Sequence, residues 1–222
     1  MQVAERVYKV TLTGNTAILF HHDNIEACDE LTDWRKDHKN KNQSKAGDDR
    51  SPGWTWQTYL YDDGENVAMP SDNVMACVRK ASAGVVLKKQ TTFKQLSQSG
   101  MCFDTEYLEF RYGMPKQNWR TLSSDELNGI RNLSFAEQAE AAKRLGFRLF
   151  VKRARVGQSK HIRVRPRFDR WQVVGNLTVR AEEITADVLQ KIFDIAGSVG
   201  LGDWRPGCST PGPYGTFTAT VE

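Results

Sequence analysis

Between Trp171 and Glu222 the chain reads strand, helix, glycine-rich loop, strand, and this order narrows the available folds more than any other stretch. Trp171, Val173, Gly175, Leu177 and Val179 fall at alternate positions, the period of a half-buried strand. Thr185 offers an N-cap to a helix with Val188, Leu189, Ile192, Ile195 and Val199 on one side. Phe217, Ala219 and Val221 then alternate again. The connection GLGDWRPGCSTPGPYG holds five glycines and three prolines, too many breakers to extend either neighbour. Its glycines at 200, 202, 207, 212 and 215 permit positive φ and let backbone N–H groups approach an anion closely. They serve equally as tight turns, with Trp204 plugging a core. Trp204 beside Arg205 offers a stacking surface next to a cation. No Gly-Lys-Ser/Thr occurs, which excludes a Walker-type loop.

The earlier chain supplies matching parts. Arg6 to Thr13 alternates, with Tyr8, Val10 and Leu12 on one face, and reads as a first strand; Ala17 to Phe20 continues it or pairs nearby after the turn at Gly14-Asn15. Trp54 to Tyr61 alternates aromatic and polar residues and reads as another. Asp62-Asp63-Gly64 is a turn, and Glu65 to Met69 is expected to return as a short strand. Ser71 is expected to cap a helix carrying Val74, Met75, Val78 and Ala81, with Arg79 and Lys80 at its outer edge. Phe103 to Trp119 reads as a strand and a turn around Gly113-Met114-Pro115. Ser134 with Glu137 makes a capping box for a helix that stops at Gly146. These elements predict an α+β chain of one domain over residues 1–222: a ferredoxin-like antiparallel sheet with helices on one face, inserted loops and a basic β-hairpin. Residues 84–134 form an insertion that the pattern leaves unassigned. Residues 36–53 carry one apolar side chain, Ala46, and are expected to be a mobile polar loop, since burial cannot offset the entropy of ordering them.

Charge is unevenly distributed. Between Phe147 and Trp171 lie nine Lys/Arg and one acid, Asp169, giving this segment +8 in a chain whose net charge is only +4. Residues 147–167 read as two strands about Gly157-Gln158-Ser159, a hairpin bearing Lys152, Arg153, Arg155, Lys160, His161, Arg163, Arg165 and Arg167. Ile162 and Val164 point one way, and His161, Arg163 and Arg165 the other. A row of like charges on one strand face repels itself unless an anion lies across it. A basic edge strand also discourages aggregation, but nine cations favour a polyanion partner.

Cys28, Cys77, Cys102 and Cys208 form no CxxC pair and, with no secretory signal at the N-terminus, read as free thiols of a reducing compartment. No apolar run reaches bilayer-spanning length, so no membrane partner is expected and the cytoplasm of a bacterial cell or phage-infected host is. His21, His22, His38 and Cys28 match no zinc spacing, and neither a metal nor a cofactor is expected.

GLGDWRP…GPYGTF, between the last helix and last strand, resembles the C-terminal glycine loop of the CRISPR-associated RAMP superfamily. Met69-Pro70-Ser71-Asp72-Asn73 through Arg79 resembles the proline–serine helix start of that superfamily's backbone subunits. The ending is also similar to that of phage-encoded proteins with a GxGxWRP…GxF terminus. The resemblance covers both ends of the fold and none of residues 84–134. It implies a non-enzymatic protein that coats single-stranded RNA or DNA as a homo-oligomer or as a subunit of a ribonucleoprotein. Its expected contacts are Arg79, Lys80, the hairpin cations with His161, and Trp204 with Arg205. Two alternatives stay open. One is a phage-type accessory protein acting on single-stranded DNA or binding a host protein. The other is a metal-independent ribonuclease, as some relatives are, with His21, His22 or His161 as acid and base, or with Asp23 standing nearest a cleaving aspartate of some backbone relatives.

Overall fold

A computed structural model describes residues 5–45, 47–113 and 118–222. Among these described residues twelve strands and six α-helices follow one another. They are β1 (Arg6–Gly14), β2 (Ile18–Leu19), α1 (Ile25–Lys36), β3 (Ala68–Pro70), α2 (Ser71–Ser82), β4 (Val86–Lys88), β5 (Thr91–Thr92), α3 (Lys94–Ser99) and β6 (Met101–Phe103). Then come β7 (Tyr107–Gly113), β8 (Trp119–Arg120), α4 (Ser124–Asn128), α5 (Phe135–Leu145), β9 (Arg148–Val156), β10 (Ser159–Phe168), β11 (Trp171–Val179), α6 (Ala186–Val199) and β12 (Phe217–Val221). The chain is mixed α+β with antiparallel sheets. It forms two compact units: Met1–Ile18, Ala68–Thr121 and Asp169–Glu222 make the first, Leu19–Val67 and Leu122–Phe168 the second. The sequence reads as one domain with insertions, and two of the intervening stretches build a unit of their own. No helix among the described residues is long and apolar enough to cross a membrane.

The first unit is built on a sheet in the order β12-β1-β11-β7-β3, with β6 also on β11 and β8 on β7. Alternation decides which side chains go inward: Val10 and Leu12 of β1, Val173 and Leu177 of β11, and Phe217 and Ala219 of β12 are buried. Burying each large apolar side chain is worth roughly 1.5–3 kcal/mol. Val74, Met75, Val78 and Ala81 of α2 and Leu189, Ile192, Phe193 and Ala196 of α6 are buried as well. The inward stripe of α6 is thus rotated from the Val188–Ile195–Val199 line, and Ile195 is left 37% exposed. The rotation follows from close approach to β12, because a Cβ on Gly197 would lie 2.1 Å from the Phe217 carbonyl oxygen. Thr185 caps α6 by accepting from Val188 N–H, as its position predicts. Ser71 does not cap α2: it is the helix's first residue, after Pro70, which offers no side-chain acceptor.

In the second unit β9 and β10 form the hairpin that the sequence anticipates. α5 carries its Ser134–Glu137 capping box and ends at Gly146 with φ 95°. Trp54 to Tyr61 is not a strand. Thr55–Tyr59 is a 3-10 turn that sinks Trp56 completely. The Trp56 indole packs on Phe147, which stacks on Phe168, which meets Phe20. Its Nε1–H donates to Gln138 Oε1 at 2.7 Å, so the buried donor is satisfied. Asp62 and Asp63 form the expected turn, accepting from Gly64, Glu65 and Asn66 N–H. The turn placed at Gly113–Pro115 runs past Gly113 outside the described residues.

Candidate nucleic-acid interface

The β9–β10 register sets cation against cation: Arg155 opposite Lys160, Lys152 opposite Arg163, and Arg148 opposite Arg167. Like charges directly opposed destabilise a strand pair, so each rung calls for an anion. At the root the chain provides one itself. Ile162 N–H donates to Gly47 O at 2.8 Å and Asp49 N–H donates to Ile162 O at 3.0 Å, which lays residues 47–49 alongside β10. The Asp49 carboxylate then accepts from Arg163 Nη1 at 3.0 Å, Val164 N–H at 3.1 Å and Arg165 Nη1 at 3.4 Å. The Arg165 guanidinium also lies 4.4 Å from the Tyr59 ring centroid. Burial raises the Tyr59 hydroxyl above the ordinary phenol range, and the neighbouring Asp49 charge adds to the rise.

This arrangement sorts the expected contact residues. Arg165 is 4% exposed and acts structurally, while Arg163 is half-buried and shares the same acid. Arg167 is half-buried, 6.0 Å over the Phe150 ring. The His161 ring packs on Gly47, where a Cβ would fall 2.5 Å from its Nδ1, and that nitrogen is buried with no hydrogen-bond partner. Lys152, Arg153, Arg155 and Lys160 are exposed towards the tip. Arg155 braces the turn there, donating to Gly157 O at 3.1 Å and Gln158 Oε1 at 2.9 Å. Asp48, next to the strapping acid, is held below the usual carboxylate range chiefly by the hydrogen bonds it accepts from the Arg50 side chain. Residues 36–53, read from sequence as a mobile loop, therefore contain the ion pairs that fix the hairpin's root.

A second group of the expected residues lies in the first unit. Lys80 Nζ donates to Gly207 O at 2.6 Å, tying the end of α2 to the glycine loop, and Arg205 Nη1 donates to Gly202 O at 2.6 Å. Beside them the Cys77 thiol is pushed up to about 12 by burial, against the opposing charges of Arg205 and Lys80. Trp204 is half-buried with φ 48°, a left-handed conformation unusual for a large side chain. Arg79 is half-buried and its Nε has no hydrogen-bond partner. The loop does not present a phosphate cradle at its glycines. Leu201 N–H donates to Gly215 O, Gly207 N–H to Val199 O, Gly212 N–H to Arg205 O and Gly215 N–H to Ala17 O. The glycines serve close packing: a Cβ would sit 1.8 Å from Leu201 O at Gly215 and 2.2 Å from Trp204 O at Gly212.

The acid–base candidates are not assembled into a relay. His21 packs edge-on to Tyr59, His22 stacks on Tyr61 with its Nδ1 3.3 Å from Leu60 O, and Asp23 is exposed. Among the described residues no three His, Cys, Asp or Glu side chains cluster to hold a metal. The helix α1 is absent from the sequence reading. Its signals were Asn24, which accepts from Ala27 N–H as the N-cap, and Glu26 in the first turn. None of its residues is fully buried, and its partly covered side is only the short line Ala27, Leu31 and Trp34, at i, i+4 and i+7. Neither the family models nor the curated proteins compared with the chain match it.

Proposed function

We propose that this chain is a non-enzymatic protein that holds single-stranded RNA or DNA, with copies assembling along the strand, and that the hairpin tip is its phosphate contact. The observation that carries the reading is the tip itself. Arg155 and Lys160 face each other across the ladder with Lys152 and Arg153 nearby, all exposed, and no acid occurs between residues 148 and 168. Asp49 pairs with Arg163 and Arg165 at the root, one negative charge against two, and the exposed tip adds further positive charge for an outside anion. The first unit supports a ferredoxin-like assignment: β1, β7, β11 and β12 stand in the order β12-β1-β11-β7, with α2 between β1 and β7 and α6 between β11 and β12. The resemblance to RAMP backbone subunits supports the oligomeric part. Phosphate contacts dominate such binding, so it should be weakly sequence-selective and steeply salt-dependent.

The test substitutes Arg153, Arg155 and Lys160 together by Ala and leaves Arg163 and Arg165 intact, because those two hold the fold. Each lost contact on a single strand lowers the slope of log affinity against log salt by about 0.7, so the triple variant should lose about 2. Fluorescence anisotropy with labelled RNA and DNA of one sequence reads this directly, and an unchanged slope would remove the hairpin from the site. Sedimentation with long and short strands tests assembly, since a one-to-one complex at every strand length refutes it.

A further inference from the structure

The second unit contains a cleft of about 390 Å³ that the hairpin argument does not use, lined by Trp34, Arg50, Gly53, Trp54, Arg131 and Phe135 among others. It adjoins a second hollow that shares Arg50, Ser51, Ser134 and Phe135 with it and adds Lys45. Its size lies within the usual range for small-ligand pockets. Two indoles in one cleft are unexplained by folding alone. Trp56 anchors the core of this unit, whereas Trp34 and Trp54 are half-buried. Trp34 sits on α1, none of whose residues is fully buried, and its indole is partly covered and partly open to the cleft.

The cations of the cleft are held in fixed poses. Arg131 donates twice from Nη2 to the Glu30 carboxylate, at 2.7 and 2.6 Å, and its guanidinium lies 4.5 Å from the Trp54 ring centroid. Arg50 uses Nε and Nη2 on Asp48, at 2.9 and 2.7 Å, which leaves its Nη1 hydrogens for another acceptor. Each guanidinium is thus oriented while its charge is largely balanced. Such a site suits a planar aromatic group with a modest anionic end better than a bare polyanion.

We infer that this cleft is a nucleotide subsite, in which a base stacks on the indoles of Trp34 and Trp54 and its phosphate meets Arg50 and Lys45. The inference rests on the nucleic-acid reading, but on a different surface from the hairpin tip. Base stacking on an aromatic side chain is sequence-tolerant, which fits a protein expected to read little sequence.

The experiment titrates the full chain with AMP and UMP, and with ribose 5-phosphate as the base-free control, following tryptophan fluorescence and heat. Both nucleotides should bind and quench, and ribose 5-phosphate should bind at least tenfold more weakly. Trp34→Ala should weaken nucleotide binding by roughly five- to 150-fold with Trp34→Phe retaining most of it, the range expected for one stacking partner. Because the Trp34 indole is partly buried, Trp34→Phe is the variant expected to melt close to the parent, and Trp34→Ala is assayed below its own measured melting temperature. The Arg153/Arg155/Lys160 alanine variant should bind mononucleotides normally while losing oligonucleotide affinity. Equal binding of ribose phosphate, or nucleotide binding unaffected by Trp34→Ala, overturns the inference and leaves the hairpin proposal standing. Nucleotide failure accompanied by capture of a peptide or protein at the cleft overturns it equally.

Discussion

Asp49 is the side chain on which the hairpin's attachment should depend most. It is 4% exposed, accepts from two arginines and one backbone N–H, and sits against Arg165, itself 4% exposed. Removing one member of a buried ion pair costs about 3–5 kcal/mol, because the remaining charge stays buried without its counter-ion. Asp49→Asn should fall below that range. The amide oxygen can still accept from Val164 N–H, and Arg165 keeps the Val164 carbonyl at 3.1 Å. Arg165 also keeps the Tyr59 ring, a cation–π contact worth roughly 0.5–2 kcal/mol. Arg163, whose side chain is 29% exposed, can turn to water. The net loss works out at about 2–3 kcal/mol, which for a chain of this length lowers the melting temperature by about 5–10 °C. Urea titration followed by near-ultraviolet circular dichroism, with a thermal melt alongside, measures both. Replacing the pair together, Asp49→Leu with Arg165→Met, should recover most of the loss, since apolar substitutes of similar volume are often neutral in such sites. A loss below about 1 kcal/mol in Asp49→Asn, or no recovery in the double variant, would refute the claim that this ion pair holds the root.

Two further outcomes follow from the geometry. Gly215→Ala places a methyl group at φ 74° and 1.8 Å from the Leu201 carbonyl oxygen, so the variant should lose well over about 1 kcal/mol in the same urea titration. The Asp48–Arg50 pair fixes a sign with pH. Arg50 depresses the folded-state pKa of Asp48 below its ordinary 3.8, so the contribution is complete above that value and disappears as pH falls through the lower, folded one. The stability difference between the parent and Arg50→Ala should be constant from about pH 8 to pH 5 and close below about pH 4, as read by urea midpoints at each pH.

Local signals were legible and non-local ones were not. Ser134 with Glu137, Gly146, Thr185 and the turn at Gly157 each announce an element boundary through hydrogen bonds only a few residues long, and each stands where the sequence placed it. The strands β1, β11 and β12 were readable because one face of each is buried, which writes an alternating pattern. Trp54–Tyr61 shows the same alternation for another reason. Trp56 is drawn inward by Phe147 and Gln138, far along the chain, and the backbone bends into a 3-10 turn to reach them. Between residues 84 and 134 the strands are two to seven residues long, and the shortest cannot display a period at all. The candidate site divides in the same way. Its cations were visible as composition, but the acid that claims Arg163 and Arg165 lies more than a hundred residues earlier in a stretch with no apolar pattern. Cationic identity alone could not tell a structural arginine from an exposed one.

The position of β1 has a bearing on how the protein is made. This strand sits between β11 and β12, and Trp171 seals the turn after it by donating to the Thr16 carbonyl at 2.8 Å. At ribosomal rates of about 5–20 residues per second, Gly14 emerges roughly 8–30 s before Trp171 does. Through that interval the first strand carries Val10 and Leu12 with neither of its sheet neighbours yet synthesised. The hairpin, by contrast, pairs residues that leave the ribosome within about 4 s of each other at those rates, even for Arg148 and Arg167 at its ends. Nascent chains arrested shortly after Phe168 should therefore protect the hairpin from protease while leaving Arg6–Gly14 open to it.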